Sequence, residues 1–413
     1  MSKLKNFGFK EGEMLISGWV APPPAHSGKA TFITEKVYKE IAESGLNAIY
    51  GMYDNVSVCK DEVINALKAA EKAGIKYLAS DPRFLKGELD PSEYKAAVDF
   101  YHQYPAFAGI NICDEPGEDK FDKLGALREK VEPLLNGKAF YINLMPMYAT
   151  HVQLTNGWWT DYHSEATDAN YEKHLKEYTE KVKPQFISYD FYPFMKEFGY
   201  FNPRYFEQLA MVRKYAEKLN APFFVFIQVV SWRKKDVRNM TAPEIEWQVS
   251  TSLACGCKGI QYFTYWTPIN GDTSIEDFND AMIDSNGLKT DSYYTIKNIN
   301  KHISVCGKTL INCDYKGLLA FNNSPAPLVK DLNIVKNYGA VSFETKDDMI
   351  IGCFKTGLKD CYYIVNNSLT KNVSAEFTNK NPDTFLVIRG AEIKTGNKGI
   401  LNLAPAEGVL LTT

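Results

Sequence analysis

Two acidic residues stand together in Asp114-Glu115-Pro116, directly after a short apolar stretch. Alternating isoleucines in that stretch are typical of a buried strand, and the proline ends it because proline cannot donate to the hydrogen-bond ladder. Two adjacent carboxyl groups point in different directions, so one can react while the other orients it. We assign proton donation to Glu115, since a general acid needs a carboxyl whose pKa is raised by burial or by a like charge. Asp114 alone can instead cap a helix that begins near Glu118.

A second carboxylate, Asp190, ends another apolar stretch and is followed by Phe191-Tyr192-Pro193. Hydrolysis of a glycosidic bond uses two carboxyl groups on either side of the sugar, roughly 5–5.5 Å apart in retaining enzymes and further apart in inverting ones. Asp190 is therefore the predicted partner of Glu115. The alternative is that Asp190 only hydrogen-bonds sugar hydroxyls or a loop amide.

Amide, aromatic and acidic side chains follow the other apolar stretches, and no lysine does. Sugars bind by stacking their CH faces on aromatic rings and by pairing their hydroxyls with carboxylates and amides. The predicted substrate-binding residues are Trp19, Asp54, Asp114, Asn143, Tyr192, Gln228, Trp232, Tyr265 and Trp266. The tryptophans can alternatively be core residues, and Gln228 can be purely structural. Trp158 and Trp159 are candidates for a flap over the site.

The elements that must position these side chains alternate between strand-like and helix-like stretches over the first three hundred residues. Eight such strands in a row favour a (β/α)8 TIM barrel, in which the reactive groups lie at the C-terminal ends of the strands. A doubly wound sheet would need a Gly-rich phosphate-binding turn after its first strand, where this chain has three prolines. The predicted strands are Met14–Val20, Asn47–Tyr53, Lys76–Ser80, Ala108–Asp114, Ala139–Leu144, Phe186–Asp190, Pro222–Gln228 and Gly259–Tyr265.

Signals for helix ends support this alternation. Asp90-Pro91 places a capping residue before a proline at the first helical position. Thr241, followed three residues later by Glu244, fits a capping box. A closing helix is predicted over Asp291–Gly307, after which the strand–helix alternation ends.

After about residue 312 the chain changes to short strands separated by Asn, Gly, Asp and Pro, which is typical of a small antiparallel sandwich. We therefore predict two domains, a barrel over 1–311 and a β-sandwich over 312–413. The tail contains neither Trp nor His, so we expect it to pack against the barrel or bind a partner rather than carry chemistry. Its predicted strands are Leu318–Phe321, Ala340–Thr345, Met349–Lys355, Cys361–Asn366, Val373–Thr378, Thr384–Ile388 and Gly408–Thr412.

The composition argues against several classes of protein. Lys and Arg number 47 against 50 Asp and Glu, a net charge of −3, whereas a nucleic-acid-binding face needs a basic excess. No run of about 18 apolar residues occurs, so we expect no membrane span. The first ten residues lack an apolar stretch with a cleavage site, so we expect no signal peptide in this chain. Export from the cell or to the periplasm would require that a leader has been removed.

Residues that mark other chemistries are missing or badly spaced. No G-x-S-x-G elbow of a serine hydrolase occurs, and the absence of a lysine at a strand end disfavours a Schiff-base aldolase. His26, His151 and His163 lack metal-ligand spacing, and Cys255 and Cys257 lack the second pair of a zinc site. We therefore expect no metal and no cofactor, and the eight cysteines are too sparse for a disulfide scaffold.

Three segments together resemble TIM-barrel glycoside hydrolases, and most closely the uncharacterised bacterial relatives of the family 42 β-galactosidases. The resemblance implies a TIM barrel that hydrolyses glycosidic bonds, and it covers roughly residues 10–310. The final strands, ending at 404–411, resemble the β-sandwich that often closes these proteins. The three segments are Asp114-Glu115-Pro116, Tyr189-Asp190-Phe191-Tyr192-Pro193 and 246–268, in which Gly256-Cys-Lys-Gly-Ile-Gln-Tyr-Phe leads into the eighth strand.

Carried over residue by residue, the family's acid/base falls on Glu115. The family's nucleophile is a glutamate at the end of the seventh strand, where this chain has Gln228, and the asparagine that normally precedes the acid/base is Asp114 here. These two departures leave three interpretations. Asp190 is the partner carboxylate, the substrate itself assists the reaction, or the barrel binds sugar and has lost catalysis.

The leading hypothesis is a hydrolase of O-glycosidic bonds in an oligo- or polysaccharide, with Glu115 as proton donor and Asp190 as second carboxylate. Such an acidic and aromatic site suits protonation of the glycosidic oxygen beside an oxocarbenium-like transition state. A non-catalytic carbohydrate-binding protein on the same scaffold is the alternative. An isomerase or a metal-dependent barrel enzyme is a third possibility.

Overall fold

A computed structural model describes most of the chain. The described residues are 12–52, 54–86, 89–157, 168–196, 199, 201–232, 237–269, 277–279, 281–322, 332–380, 385–389, 392–396 and 398–413. The proposed flap residues Trp158 and Trp159 lie outside these ranges.

Eight parallel strands close into a barrel, because β1 pairs with β2 on one side and with the eighth barrel strand, β9, on the other. All eight predicted strands are present, with ends that differ from the prediction by up to three residues. The barrel strands are β1 Leu15–Gly18, β2 Ala48–Tyr50, β3 Lys76–Ala79, β4 Phe107–Asp114, β5 Ala139–Leu144, β6 Ile187–Tyr189, β7 Phe223–Gln228 and β9 Gly259–Phe263. Two further short strands, β8 Ser231–Trp232 and β10 Phe278–Asn279, pair as a ribbon beyond the C-terminal end of β7.

Helices cover the outside of the barrel, and the expected caps are present at their starts. The side chain of Asp90 and that of Glu93 form a capping box, as do those of Thr241 and Glu244. The helices are α1 Glu35–Glu43, α2 Lys60–Ala73, α3 Pro82–Lys86, α4 Pro91–His102, α5 Phe121–Val131, α6 His151–Asn156, α7 Asp168–Lys181, α8 Tyr205–Lys218, α9 Ala242–Ala254 and α10 Asp291–Leu310. Short 3-10 helices cover Glu118–Lys120 and Glu132–Leu135.

The remaining strands form two antiparallel sheets, ordered β11-β13-β14-β19-β16-β17 and β12-β15-β18. The prediction of a (β/α)8 barrel followed by a β-sandwich is therefore confirmed, although β17 and β18 were not predicted. The strands are β11 Asp314–Phe321, β12 Val341–Glu344, β13 Met349–Thr356, β14 Lys359–Asn366, β15 Val373–Asn379, β16 Phe385–Arg389, β17 Glu392–Gly396, β18 Lys398–Leu403 and β19 Gly408–Thr412.

One face of the larger sheet packs on the barrel, and we call this contact the junction. Along β14, Cys361, Tyr363 and Val365 belong to the core shared with the barrel, whereas Tyr362 and Ile364 face the core between the two sheets. This period of two is what an antiparallel strand buried on both faces requires. The junction also includes backbone contact, since a Cβ at Gly352 would lie 2.2 Å from the carbonyl oxygen at the end of α9.

Among the residues that the structure describes, no helix is both long and apolar enough to cross a bilayer.

Candidate active site

A layer of polar side chains crosses the middle of the barrel interior. The hydroxyls of Tyr50 and Tyr141 both donate to the side-chain oxygen of Gln261, at 2.5 and 2.8 Å. The Gln261 amide donates in turn to Ser188 Oγ at 2.8 Å, and Tyr141 and Ser188 hydrogen-bond at 2.6 Å. All four residues are buried, so these bonds replace the water that their polar groups would otherwise lose.

Asn143, at the end of β5, connects this layer to the acidic residues above it. Its side-chain oxygen accepts from Ser188 Oγ at 2.9 Å. Its amide donates to Asp190 Oδ1 at 2.5 Å and to Asp114 Oδ1 at 3.2 Å. The register of β4, β5 and β6 explains the arrangement, because Asp114 pairs with Asn143 and Asn143 with Ser188, two residues before Asp190. Three side chains predicted from the sequence therefore meet at the C-terminal end of the barrel.

Glu115 reaches this group through an irregular end of β4. The register between β4 and β5 shifts between Asn111 and Cys113, and Glu115 itself has φ of +46°. A left-handed conformation is unfavourable for a residue with a β-carbon and costs about 1–3 kcal/mol, and such strain is concentrated at functional sites. Its amide donates to the carbonyl of Asn143 at 2.9 Å, which fixes this conformation. The irregular strand end thus turns the Glu115 carboxyl toward β6.

The Glu115 and Asp190 side chains hydrogen-bond to each other, and Tyr192 donates to Asp190 Oδ2 at 3.1 Å. Glu115 and Asp190 therefore lie side by side at the C-terminal end of the barrel, and the role of Asp190 as second carboxylate stays a prediction. A hydrogen bond between two carboxyls also requires one proton, so the pair shares it.

Burial sets the charge of these acids. Desolvation raises the pKa of Asp190 to about 8, and the nearby Asp114 adds to the rise, while hydrogen bonds from Asn143, Tyr192 and Glu115 oppose it. Desolvation raises the pKa of Asp114 to about 6, against the hydrogen bond from Asn143. Asp114 is nevertheless exposed to solvent, whereas Asp190 is 7% exposed. Burial therefore disfavours the charged form of both acids, and it does so more strongly for Asp190 than for Asp114.

A continuous set of aromatic rings, which we call the aromatic wall, lies beside the acids. Tyr192 contacts Trp232 and Phe263, with ring centroids 5.1 and 5.3 Å apart. Phe263 also contacts Phe226, which in turn packs against Trp19 at 5.4 Å. Trp19 and Trp232 are only 4% and 5% exposed, so neither offers an open ring face on which a sugar could stack.

Gln228, at the end of β7, turns away from the acids. Its side-chain oxygen accepts from the backbone N–H of Phe194 at 3.1 Å, and its amide donates to the carbonyl of the same residue at 3.4 Å. The side chain of Gln248 in α9 binds the backbone of Gln228 in the same way. Its oxygen accepts from the Gln228 N–H at 2.9 Å, and its amide donates to the Gln228 carbonyl at 3.3 Å. The structure therefore gives Gln228 the structural role, holding the loop after β6.

The predicted residues Asp54, Tyr265 and Trp266 also lie apart from the acids. Asp54 accepts from the hydroxyl of Tyr77 at 2.7 Å and from the N–H of Ser80 at 2.8 Å, and burial raises its pKa to about 6. Tyr265 is fully buried and Trp266 is 1% exposed, and the ring of Trp266 packs on Phe32 from the loop before α1. None of the three contacts Glu115 or Asp190 in the described part of the chain.

Several residues of the site were missed from the sequence. Tyr141, Phe226, Gln261 and Phe263 all lie inside predicted strands. Tyr141 is two residues before Asn143, Phe226 is two before Gln228, and Gln261 is two before Phe263. Counting back by two from Asn143 and Gln228 would have found Tyr141 and Phe226, because alternate residues of a barrel strand face the interior. Among the described residues, no three His, Cys, Asp or Glu side chains form a group suited to a metal ion.

Comparison with known proteins shows the fold. No family model matches the chain, and no curated protein matches it in sequence. A β-galactosidase from Bacillus circulans sp. alkalophilus has a TM-score of 0.60 and 9% identity, covering 97% of this chain and 99% of that one. A glycoside hydrolase family 5 protein from Bacteroides vulgatus has a TM-score of 0.53 and 11% identity, with coverage of 97% and 89%. A maltogenic α-amylase from Thermotoga neapolitana has a TM-score of 0.52 and 10% identity, with coverage of 97% and 98%.

Proposed function

We propose that this protein is a glycoside hydrolase that cleaves O-glycosidic bonds of an oligo- or polysaccharide, with Glu115 as general acid/base. The observation that carries the proposal is the position of Glu115 at the C-terminal end of the barrel. Its backbone is left-handed, and its carboxyl hydrogen-bonds to Asp190. A strained acid that shares a proton with a buried carboxyl is equipped to protonate a leaving oxygen. The glycoside hydrolases among the structural neighbours use the same scaffold.

In this proposal Asp190 is a positioning residue. It holds the Glu115 carboxyl and is itself held by Asn143 and by Tyr192, while Gln208 of α8 donates to its backbone carbonyl at 3.3 Å. Such a network fixes the acid at one orientation before substrate arrives, which reduces the reorganisation needed in the transition state. Phe263, the half-buried ring of the aromatic wall, would contact the bound sugar.

The proposed relation to the family 42 β-galactosidases extends to the acid/base position and the strand ends around it. The place of the family's nucleophile is taken by Gln228, which is bonded to the backbone of Phe194. This substitution favours a second candidate function, a carbohydrate-binding protein without catalysis on the same scaffold. The two candidates differ in one measurable property, the release of reducing sugar.

The test compares the wild-type protein with Glu115→Gln on a broad panel of glycosides and oligosaccharides. We expect the substitution to lower kcat by about 10²–10⁴-fold, the usual contribution of a general acid. Oligosaccharide binding, measured by calorimetry, should persist because glutamine keeps the shape of the side chain. Glu118→Gln is the matched control, since Glu118 lies three residues away, is buried and pairs with Lys173 rather than with the acids.

Equal activity of wild type and Glu115→Gln would remove Glu115 from the chemistry. If the wild-type protein binds oligosaccharides and cleaves none of the panel, the protein is the binding module instead.

A further inference from the structure

Two cysteine side chains meet where the end of α10 lies against the larger sheet. The thiol of Cys361, in β14, donates to the sulfur of Cys313, and the thiol of Cys313 donates in turn to the carbonyl of Thr309 at 3.2 Å. Both cysteines are free thiols, and both belong to the core that the sheet shares with the barrel. Two side chains whose sulfurs converge in this way meet the first requirement for a disulfide.

The packing of α10 on the sheet explains why these two residues meet. His302 of α10 and the hydroxyl of Tyr363 in β14 hydrogen-bond at 3.1 Å, and Cys361 lies two residues from Tyr363 on the same face of the strand. Cys313 stands just after α10, and its N–H donates to the carbonyl of Leu310 at 3.2 Å. The barrel-facing side of β14 therefore runs along α10 and meets the residues at its end.

A cavity of about 810 Å³ reaches one of the two thiols. It lies at the N-terminal end of the barrel, since its lining includes Phe223, the first residue of β7, and Lys258, directly before β9. Cys313 also lines the cavity and is 4% exposed, whereas Cys361 is fully buried. The volume suits a small organic molecule, so a small reagent can reach Cys313 first.

The surroundings of Cys313 favour its thiolate, which is the reactive form of the side chain. The hydrogen bond from Cys361 lowers the pKa of the Cys313 thiol, and the ammonium of Lys258 adds to the fall, against burial and Asp314. Lys258 is held beside it, because its Nζ donates to the carbonyl of Cys313 at 2.6 Å and to that of Leu310 at 2.5 Å. The hydrogen bond to Cys313 and burial raise the pKa of Cys361. Cys313 is thus the attacking thiol of the pair.

We propose that Cys313 and Cys361 form a disulfide when a small disulfide, such as oxidised glutathione, enters the cavity. The new bond joins the end of α10 to β14, so it fastens the larger sheet to the barrel across the junction. The pair lies at the opposite end of the barrel from Glu115, and its oxidation is therefore independent of the proposed hydrolysis.

The reaction exchanges two electrons between the thiols and the reagent. After Cys313 has lost its proton to solvent, its thiolate attacks one sulfur of the reagent, the S–S bond of the reagent breaks, and one half leaves and takes up a proton. Cys361 then loses its proton to solvent and attacks the Cys313 sulfur, which releases the second half of the reagent as a thiol. The protein loses two electrons and two protons, and the reagent gains both as two thiols.

The first experiment oxidises the wild-type protein and counts its thiols. The full-length protein is incubated with oxidised glutathione and denatured in acid, its thiols are titrated, and its disulfides are located by mass spectrometry of unreduced peptides. We expect two of the eight thiols to be lost and Cys313 and Cys361 to be recovered in one cross-linked pair of peptides. Retention of all eight thiols, or a disulfide between other cysteines, would overturn the proposal.

Two variants separate the attacking thiol from the second one. Cys361→Ser should retain one glutathione on Cys313, because the second displacement has lost its nucleophile. Cys313→Ser should leave Cys361 reduced, because Cys361 is fully buried. Cys306→Ser removes a buried thiol of α10 that donates to the carbonyl of Ile303 at 3.9 Å, and as the control it should form the disulfide at the wild-type rate. A glutathione that persists on Cys313 of the wild type would contradict the role of Cys361.

The bond should also raise the thermal stability of the protein. A disulfide between residues 313 and 361 restricts the unfolded chain, so we expect the Tm of the oxidised protein to exceed that of the reduced protein by about 4–8 °C. Calorimetry of the two forms measures the difference, which should vanish in Cys361→Ser. An oxidised wild type that melts no higher than the reduced protein would show that the bond does not fasten the sheet to the barrel.

Discussion

The acidic group at the C-terminal end of the barrel, which we call the mouth, and the junction with the sandwich are both largely buried. The mouth consists of polar side chains and the junction of apolar ones. At the mouth, Asn143, Ser188 and Asp190 are at most 7% exposed and are joined by hydrogen bonds. At the junction, apolar side chains such as Val365 pack on the barrel, and Gly352 brings a strand against the backbone of α9. One region buries groups that prefer water, and the other removes apolar surface from it.

The difference separates stability from function within one chain. A buried carboxyl with a raised pKa makes the folded state less stable at neutral pH, so nothing in folding alone favours it. The junction has the composition of an ordinary core. Substitutions at the mouth should therefore change activity with little loss of stability, and substitutions at the junction should do the reverse.

The largest effect is expected at Asn143, which holds two acids of the mouth. Asn143→Ala removes the donors to Asp114 and Asp190, so both carboxyls lose their orientation, and kcat should fall by about 100-fold. This fall in kcat is measured by steady-state kinetics on the glycoside of the panel that the wild-type protein cleaves fastest. Asn367→Ala is the counterpart at the junction, where Asn367 accepts from the Trp247 indole at 2.9 Å, and it should leave kcat unchanged. Equal kcat values for the two variants would abolish the distinction between the regions.

The next effect belongs to the junction. In Gly352→Ala the new methyl group would lie 2.2 Å from the carbonyl oxygen of Ala254, so the strand or the helix must move. We expect the free energy of unfolding to fall by about 1–3 kcal/mol, as for other overpacked sites. Chemical denaturation measures the loss, and kcat per folded molecule should stay at the wild-type value. Gly357→Ala in the next hairpin turn, where a Cβ meets nothing within 4 Å but φ is +57°, shows the cost of left-handed backbone strain without overpacking.

A smaller effect depends on pH. Because the pKa of Asp190 is raised from 3.8 to about 8, the folded protein holds this proton more tightly than the unfolded chain. Its contribution to stability is complete at acidic pH and declines as the pH rises from about 4 to about 8. Asp190→Asn keeps the neutral form at every pH, so it should exceed the wild type by about 1–2 kcal/mol at pH 8 and match it at pH 4.

Asp54→Asn provides the comparison for that experiment. The pKa of Asp54 is about 6, so its substitution should flatten the stability profile only between about pH 4 and 6. Urea denaturation at pH 4, 6 and 8 distinguishes the two profiles. Parallel profiles for wild type and Asp190→Asn would mean that Asp190 titrates normally in the folded protein.

The smallest effect is expected from a single contact of the junction. The guanidinium of Arg213 lies over the ring of Tyr315, 3.9 Å from its centroid. A double-mutant cycle of Arg213→Met with Tyr315→Leu should give a coupling free energy of about 0.5–1 kcal/mol. Thermal and chemical denaturation of the four proteins measure it. A coupling of zero would mean that the contact is only a consequence of packing.

The same two regions show how far the sequence can be interpreted. Strand periodicity and the caps at Asp90 and Thr241 sufficed to predict the barrel, since each is a local pattern. β17, Glu392–Gly396, was missed because a short polar strand has no apolar alternation. β18 was missed although Leu401 and Leu403 alternate with polar neighbours, because it is only six residues long. The acids at the strand ends were predicted, because proline and adjacent carboxyls mark such an end.

The contact between Glu115 and Asp190 was beyond the reach of local patterns. It depends on the register shift in β4 and on the left-handed φ of Glu115, and neither has a signature in the residue types. The sequence also left open whether Trp19 and Trp232 are buried, because a tryptophan at a strand end has the same sequence pattern whether it faces solvent or the barrel interior.

The two hydrogen bonds between the Gln228 side chain and the backbone of Phe194 have a consequence for protein engineering. A glutamate placed at 228 could still accept from the Phe194 N–H, but it would set a carboxylate against the carbonyl oxygen that Gln228 now satisfies. The loop after β6, which carries Tyr192, would then lose one of its anchors. Converting this barrel into a double-displacement enzyme therefore requires rebuilding that loop as well as exchanging one side chain.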